Sequence, residues 1–439
     1  MRPIAAFLFF VSAVRAATPF VVHVTDDVSG RGVPLVELRT TSEVVFMTDS
    51  AGIAAIDDST LNGQAVIFYV SSHGYAFGQE VLDRPGVKLK VTAGGRAELK
   101  IHRINIAERM YRVTGAGIYR DSVLAGLPVP IEQPLLDGGV TGQDTVSAAV
   151  YRGRIFWIWG DTLGLDSFNF AVSGATSELP GKGGLDPAVG INLHYFKNRD
   201  GFSKPMLPLP REGLVWIEGM FTVRDPQGEE RLLATYTRQQ GLTPPDECGV
   251  ARFNDEKEVF EPWFDRPCFG GHVSAHPFLH REGGKEHWYL YGNHRVLNDW
   301  AAVQDTKSWE SFDGGWRAGA PRPQHKETSL PESQSCVAWN EHRKRWISLS
   351  EHFGDVYYSE SDRPEGPWGK EVLIIHHDHY NFYNVATHSF FNQQDGRLIY
   401  IEGTYTTSFT DAKETTPRYN YNQIMYRLDM DDPRLAAAP

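Results

Sequence analysis

The 439-residue chain carries 43 Lys and Arg against 55 Asp and Glu, a formal net charge of −12. No Lys/Arg cluster interrupts that acidic balance, which argues against nucleic acid as a partner, because phosphate recognition needs concentrated positive charge. The length exceeds one ordinary core and points to a small and a large domain, while 42 Gly and 26 Pro beside 11 Trp and 18 Tyr suit many short strands joined by turns.

Residues 1–16 read as a secretory leader: Arg2 gives the charged start, an apolar stretch follows, and Val14-Arg15-Ala16 supplies the cleavage pattern. The stretch is too short to span a bilayer, and nothing later is apolar enough for a membrane helix. The rest of the chain is therefore expected to be exported, extracellular or periplasmic, with no membrane contact after cleavage. Export permits disulfides: Cys248 and Cys268 are close enough to staple a loop, which leaves Cys336 unpaired and buried.

Residues 18–103 form the first expected domain. FVVHVTD, VPLVELRTT, VVFMTD, QAVIFYVSS, VKLKVTA and RAELKIHRI alternate or run apolar over strand lengths between Gly/Asp/Ser turns, as in a small antiparallel β-sandwich. The pattern "D..sGrgVP.v.l.t" followed by "TDs.G.a" resembles the carboxypeptidase regulatory-like, transthyretin-like sandwich, and the resemblance implies an accessory role. His73 and Tyr75 read as a satisfied loop pair rather than a glycan contact. Residues 104–139 connect the two domains and offer a strand to the second.

Residues 140–432 repeat a run of small or β-prone residues, a polar turn and an aromatic strand five times, which reads as a five-bladed β-propeller. The expected fold is thus all-β, a β-sandwich followed by a propeller. The first copy, QDTVSAAVYRGRIFWIWGDT, turns at Arg152-Gly153-Arg154. The others centre on LVWIEGMFTV, HVSAHPFLH, SQSCVAWNEHRKRWISLSEHFG and YNVATHSFFNQQDGRLIYIEGTY, the last closed by YNQIMYRLDM. Ala171 to Arg211 reads as a long insertion, a candidate pocket wall.

A hairpin folded at Gly153 returns Asp161 to the end that carries Asp144. Glycosidic hydrolysis needs one protonated carboxyl and one ionised carboxylate, and this pair supplies both without any long-range assumption. Glu218, between Trp216 and Gly219, is the third candidate acid, with the indole as a desolvating wall that would keep it protonated. Gln143, His272, His276, Gln334, Asn384 and His388 from inner strands, with His294, Arg295 and Glu402 from returning ones, are expected around the same funnel as substrate-binding groups. Trp159 and Trp216, with Tyr383 among others, are candidates to stack on a sugar ring, against packing between blades as the bland alternative.

The texts WGDT at 159–162, YYSESDRPEGPW at 357–368 and YRLDMDDPRL at 426–435 resemble the five-bladed propeller glycosidases, the family 43 glycoside hydrolases and the bacterial endo-D-arabinanases. That resemblance implies a carbohydrate substrate and places Asp144 and Asp161 at the first-blade acid positions. In family 43 the first-blade Asp is typically followed by Pro, whereas here Thr145 follows Asp144. Two other readings are a non-catalytic carbohydrate-binding propeller and a polysaccharide lyase working through His and Tyr, with Arg238 or Arg295 neutralising a uronate. The histidine spacing, HHDH at 376–379 included, fixes no metal geometry, so neither a metal nor another cofactor is expected. Oligomeric state is not written in the sequence.

Overall fold

The computed structural model describes residues 18–437 apart from 167, 170, 171, 242, 269–275, 292, 293, 313 and 320–333. The expected leader and His272 lie outside the described residues. What is described is all-β, with helices confined to short turns.

Two N-terminal sheets share one hydrophobic core. The first has the order Ile53–Ile56, Phe20–Asp26, Arg96–Arg103, Tyr75–Ala76; the second runs Val45–Met47, Glu37–Thr40, Ala65–Ser71, Arg84–Lys90, Glu80–Val81. Val22, Val24 and Leu99 of one sheet meet Leu38, Phe68 and Val70 of the other, as alternating patterns require. The expectation of a wholly antiparallel arrangement is corrected, because Phe20–Asp26 pairs in parallel with Arg96–Arg103. Those strands are far apart in sequence, so no hairpin dictates their direction.

Five antiparallel meanders follow in chain order. The first is Ser147–Tyr151, Arg154–Trp159, Ser173–Glu178, His194–Tyr195, and the second Leu214–Arg224, Glu230–Gln239, Glu247–Asn254, Val259–Asp265. The third is Phe278–Glu282, Lys285–Tyr291, His294–Leu297, Glu310–Phe312, Trp316–Ala318. The fourth is Gln334–Asn340, Arg345–His352, Asp355–Ser361, Val372–Ile375. The fifth, Asn381–Thr387, Leu398–Thr406, Asn422–Asp429, takes its outer strand from the connecting segment, Glu108–Arg112. The first hairpin turns where the sequence placed it: Arg152 and Gly153 both have positive φ, 47° and 78°, the conformation whose twist matches the flanking strands.

Each meander packs on its neighbour through buried side chains. Phe156 and Ile158 of the first meet Ile217 and Met220 of the second, and Phe221 and Leu233 of the second meet Leu290 and Val296 of the third. The Phe278 ring lies 5.1 Å from Trp346 of the fourth. Ile347 and Leu349 of the fourth meet Phe382 and Ile401 of the fifth, and Ala386, Tyr400 and Met425 of the fifth meet Trp157 of the first. The N-terminal sheets attach to the fifth meander. Tyr419 donates its hydroxyl to Thr48 O at 2.7 Å, and the Arg109 guanidinium donates to Pro34 O at 3.0 Å.

The stretch expected as an insertion supplies two strands of the first meander, with irregular chain only between and after them. Ser173–Glu178 pairs along all of Arg154–Trp159, and His194–Tyr195 pairs outside it. The aromatic signature is missing from SGATSE because it lies against crowded surroundings: a Cβ on Gly174 would come 2.9 Å from Met206 and 3.1 Å from Ile158. Cys248 and Cys268 are disulfide-bonded, tying the third strand of the second meander to the segment after its fourth, and Cys336 is free and buried. Among the described residues no helix is long and apolar enough to cross a membrane.

Candidate active site

The first hairpin delivers its two acids to one place. Asp144 N–H donates to Asp161 O at 3.2 Å, Gly160 N–H donates to Asp144 O at 2.9 Å, and Asp161 N–H donates to Asp144 Oδ1 at 2.7 Å. Glycine at 160 is a steric requirement, since a Cβ there would lie 2.6 Å from Asp144 Oδ1. The text WGDT therefore describes a backbone that wraps one carboxylate while presenting a second.

Two phenols from the fifth meander complete the cluster. Tyr383 donates to Asp144 Oδ2 at 2.7 Å, and the Tyr421 hydroxyl lies 2.9 Å from Asp144 Oδ2 and 3.2 Å from Asp161 Oδ2. Asp161 Oδ1 is buried without a hydrogen-bond partner among the described residues. Three non-glycine residues around the pair hold left-handed backbone, Thr145 at φ 53°, Asn384 at 52° and Tyr421 at 61°. Such conformations cost about 1 kcal/mol or more each and persist where surrounding structure imposes them, often at functional sites. Asn384 Nδ2 donates to Thr145 Oγ1 at 2.5 Å, and Thr145 N–H donates to Thr404 Oγ1 at 3.1 Å, so the strained turns brace one another.

The electrostatics divide the pair. Burial first, and the Asp144 carboxylate second, push the Asp161 carboxyl up to about 7. Burial also raises Asp144, but hydrogen bonds from Tyr383, Tyr421 and the Asp161 backbone oppose that by favouring its ionised form. One tyrosine hydroxyl has a single hydrogen, so both Tyr421 contacts are hydrogen bonds only when one carboxyl is itself protonated. Asp161, with an unpartnered oxygen, is the carboxyl suited to hold that proton; Asp144, with three donors, is suited to stay ionised.

The other expected residues fall elsewhere or do other work. Glu218 sits at a bulge in its strand and is 3% exposed, ion-paired to Arg266, itself nearly fully buried. An arginine in contact favours the ionised carboxylate, the opposite of the protonated acid expected beside Trp216. Trp159 is fully buried and stacked on Trp157, with ring centroids 6.1 Å apart, and Trp216 is also buried. Burial of both indoles matches the packing between blades that the sequence offered as their other reading. Gln143 is buried, donating to Ser173 Oγ at 2.6 Å and accepting from Tyr195 at 2.7 Å; it supports the turn ahead of Asp144.

His388 and Glu402 form a buried pair at 2.9 Å. His276 is half-buried, its Nε2 without a hydrogen-bond partner among the described residues, and burial pushes it down to about 3. His294 is buried, with Nδ1 2.8 Å from Ser311 Oγ, and burial pushes it to about 4. Arg295 is held by Glu282 and Glu310 within the third meander, and Arg238 by Asp246 and Glu247 within the second. Both arginines considered for a lyase are therefore already neutralised. Gln334 starts its strand with its side chain outside the described set. His73 is a satisfied loop residue: its Nε2 is 2.8 Å from the Tyr405 hydroxyl, and its Nδ1 accepts the Asp378 N–H at 3.0 Å.

Of the expected site, then, the structure gathers Asp144 and Asp161, with Asn384 one hydrogen bond away through Thr145. Sequence reasoning named Tyr383 only as a stacking ring and did not find Tyr421. The available signal was the pair of Tyr/Asn runs, YNFYN at 380–384 and YNYN at 419–422, each opening a strand of the fifth meander. Among the described residues no group of three or more His, Cys, Asp or Glu is arranged to hold a metal ion.

No family model matches the chain, and no curated protein matches it. Solved structures do match. A thermostable family-43 glycoside hydrolase is 12% identical over 67% of this chain and 92% of its own, with a TM-score of 0.39. An exo-β-1,3-galactanase from Phanerochaete chrysosporium is 9% identical over 74% of this chain and 65% of its own, at 0.42. An α-L-arabinofuranosidase from Podospora anserina is 11% identical over 66% and 91%, at 0.34. At this level of likeness, chemistry has to be read from the side chains of this chain alone.

Proposed function

We propose that the chain is an exported glycoside hydrolase in which Asp144 and Asp161 carry out the reaction on a polysaccharide or oligosaccharide. The supporting observation is the two carboxyl groups on either side of one tyrosine hydroxyl, one environment favouring the proton and the other the charge. Asp161 protonates the departing glycosidic oxygen, and Asp144, ionised, attacks the anomeric carbon. Water then releases the sugar with Asp161 as the base. The five meanders are read as blades of a propeller, residues 140–432, that opens at this pair. Residues 18–103 are read as an accessory sandwich, residues 104–139 as the connection, and residues 1–16 as the leader.

A phenol oxygen 2.9 and 3.2 Å from the two carboxylates keeps the oxygens it touches within about 6 Å of each other, short of the roughly 6.5–9.5 Å by which inverting enzymes part their carboxyl groups to admit water. The pair suits the closer spacing of roughly 5–5.5 Å found in retaining enzymes, and retention of anomeric configuration is the expected course. The rate should follow a bell in pH. Its alkaline limb lies near 7, where Asp161 loses the proton it must donate, and its acid limb lies where Asp144 takes one up. Initial rates from pH 4 to 9 check this, and a flat profile between 6 and 8 would remove Asp161 from the acid role.

The first experiment is incubation with a polysaccharide panel, arabinan, arabinogalactan, xylan, galactan and polygalacturonate, scored for reducing ends and for ultraviolet absorbance. New reducing ends without absorbance support hydrolysis. Absorbance from a new double bond would mean a lyase, and binding without either product would mean a carbohydrate-binding protein.

A further inference from the structure

We propose that Tyr421 is a positioning residue that keeps the Asp144–Asp161 pair at one proton over a wide pH range. The catalytic consequence rests on the hydrolase reading; the titration that tests it does not.

Three protonation states are open to the pair. With both carboxyls ionised, the single Tyr421 hydrogen serves two anions at once. With one proton on Asp161, the Asp161 O–H donates to the Tyr421 oxygen and the Tyr421 O–H donates to Asp144, so both contacts become hydrogen bonds and one is charge-assisted. With a second proton on Asp144, the charge-assisted bonds from Tyr421, Tyr383 and the Asp161 N–H are lost. Tyr421 opposes a second proton on Asp144; a phenol that donates to ionised Asp161 lowers that carboxyl, so the middle state is held against loss through the other orientation, in which the Tyr421 oxygen accepts from a protonated Asp161 and its O–H serves Asp144. Tyr383 touches Asp144 and the Tyr421 phenol but not Asp161, so of the two carboxyls it acts directly on Asp144 alone and resists the gain. The singly protonated state is the one that glycoside hydrolysis by two carboxyl groups requires.

The phenol is placed by a backbone that has little freedom. Tyr421 N–H donates to Tyr405 O at 2.8 Å, and its carbonyl accepts the Gln143 N–H at 2.8 Å, one residue before Asp144. A Cβ on Gly142 would come 2.8 Å from that carbonyl oxygen, so the approach is as close as glycine permits. A left-handed tyrosine clamped on both sides makes sense if the position of its hydroxyl matters. The titratable groups facing Asp161 are Asp144 and Tyr421; Tyr383 joins them at Asp144. Both phenols are held above the ordinary tyrosine range by burial first and then by the carboxylate charge, so they remain neutral donors.

The test is a carbon-13 titration of γ-labelled aspartate from pH 3 to 10 in the full chain, on wild type, Tyr421→Phe and Tyr383→Phe. In wild type at pH 5.5, one of the two carboxyls is expected to be protonated and the other ionised. In Tyr421→Phe the upper boundary of that state falls and the lower boundary rises, each by about one pH unit; in Tyr383→Phe only the lower boundary rises. Wild type with both groups ionised at pH 5.5, or Tyr421→Phe with unchanged boundaries, overturns the proposal, as does the same change in both variants. The wild-type arm stands even if a variant fails to fold. Absence of hydrolysis on every polysaccharide would leave these boundaries untouched, so the two readings fail separately.

Discussion

Replacing Asp144 by asparagine is expected to lower kcat/KM by roughly 10³-fold or more, the scale on which positioned acids, bases and nucleophiles act. The fold should survive, because asparagine keeps an oxygen to accept the Asp161 N–H that now lies 2.7 Å from Asp144 Oδ1. Asp161→Asn is expected to lose as much activity while becoming more stable at alkaline pH. The sign follows from proton linkage: the folded chain holds the Asp161 proton up to about 7, whereas the unfolded chain releases it near the ordinary carboxylate value of 3.8. Stability contributed by that proton is fully present below 3.8 and is lost as pH rises toward 7. Asparagine has no charge to bury, so the variant should melt higher than wild type at pH 8 and close to it at pH 3.5. Calorimetry beside the assay checks both parts. A variant that keeps near wild-type turnover, or one that loses activity by unfolding, would count against the assignment.

The second large effect concerns Glu218. Its partner Arg266 is 1% exposed at the side chain and Glu218 is 3%, so Glu218→Gln takes a negative charge away from a buried guanidinium that touches it. Removing one member of a buried pair costs about 3–5 kcal/mol, measurable as a lowered urea midpoint with unchanged slope. Replacing both partners, Glu218→Leu with Arg266→Met, should recover most of that loss, since neither charge is then stranded. A cost below about 1 kcal/mol for the single change would mean that the ion pair contributes little to the second meander. A cost of about 3–5 kcal/mol would identify Glu218 as a group that holds a strand bulge against the segment beside the Cys248–Cys268 bridge.

What could be read from the sequence was local. The turn at Arg152-Gly153 and the alternation of FWIW set a hairpin register, and that register alone brings Asp161 back to Asp144. The strand-rich all-β character followed from the same short-range signals. What failed depended on distances the sequence does not carry. Arg295 stands beside His294 in sequence, yet Glu282 and Glu310 hold it within its own meander. Alternation places Trp159 on the same face as Trp157 without saying whether a sugar or a neighbouring strand covers that face, and it stacks on Trp157 beneath the fifth meander. Ser173–Glu178 carries no strand signature, because small residues replace the usual bulky ones where packing is tight. Tyr421 lies 277 residues from Asp144, and although the Tyr/Asn run around it marks a turn, nothing local says which distant carboxylate that turn faces.

The most direct measurement is the anomeric configuration of the first product, followed by proton NMR on whichever panel polysaccharide the wild-type protein cleaves. The sharing of one tyrosine hydroxyl by Asp144 and Asp161 calls for the product to appear first in the configuration of the bond that was cut. Initial appearance of the opposite anomer would contradict it, because water held between more widely spaced carboxyl groups, and not Asp144, would then be the attacking group.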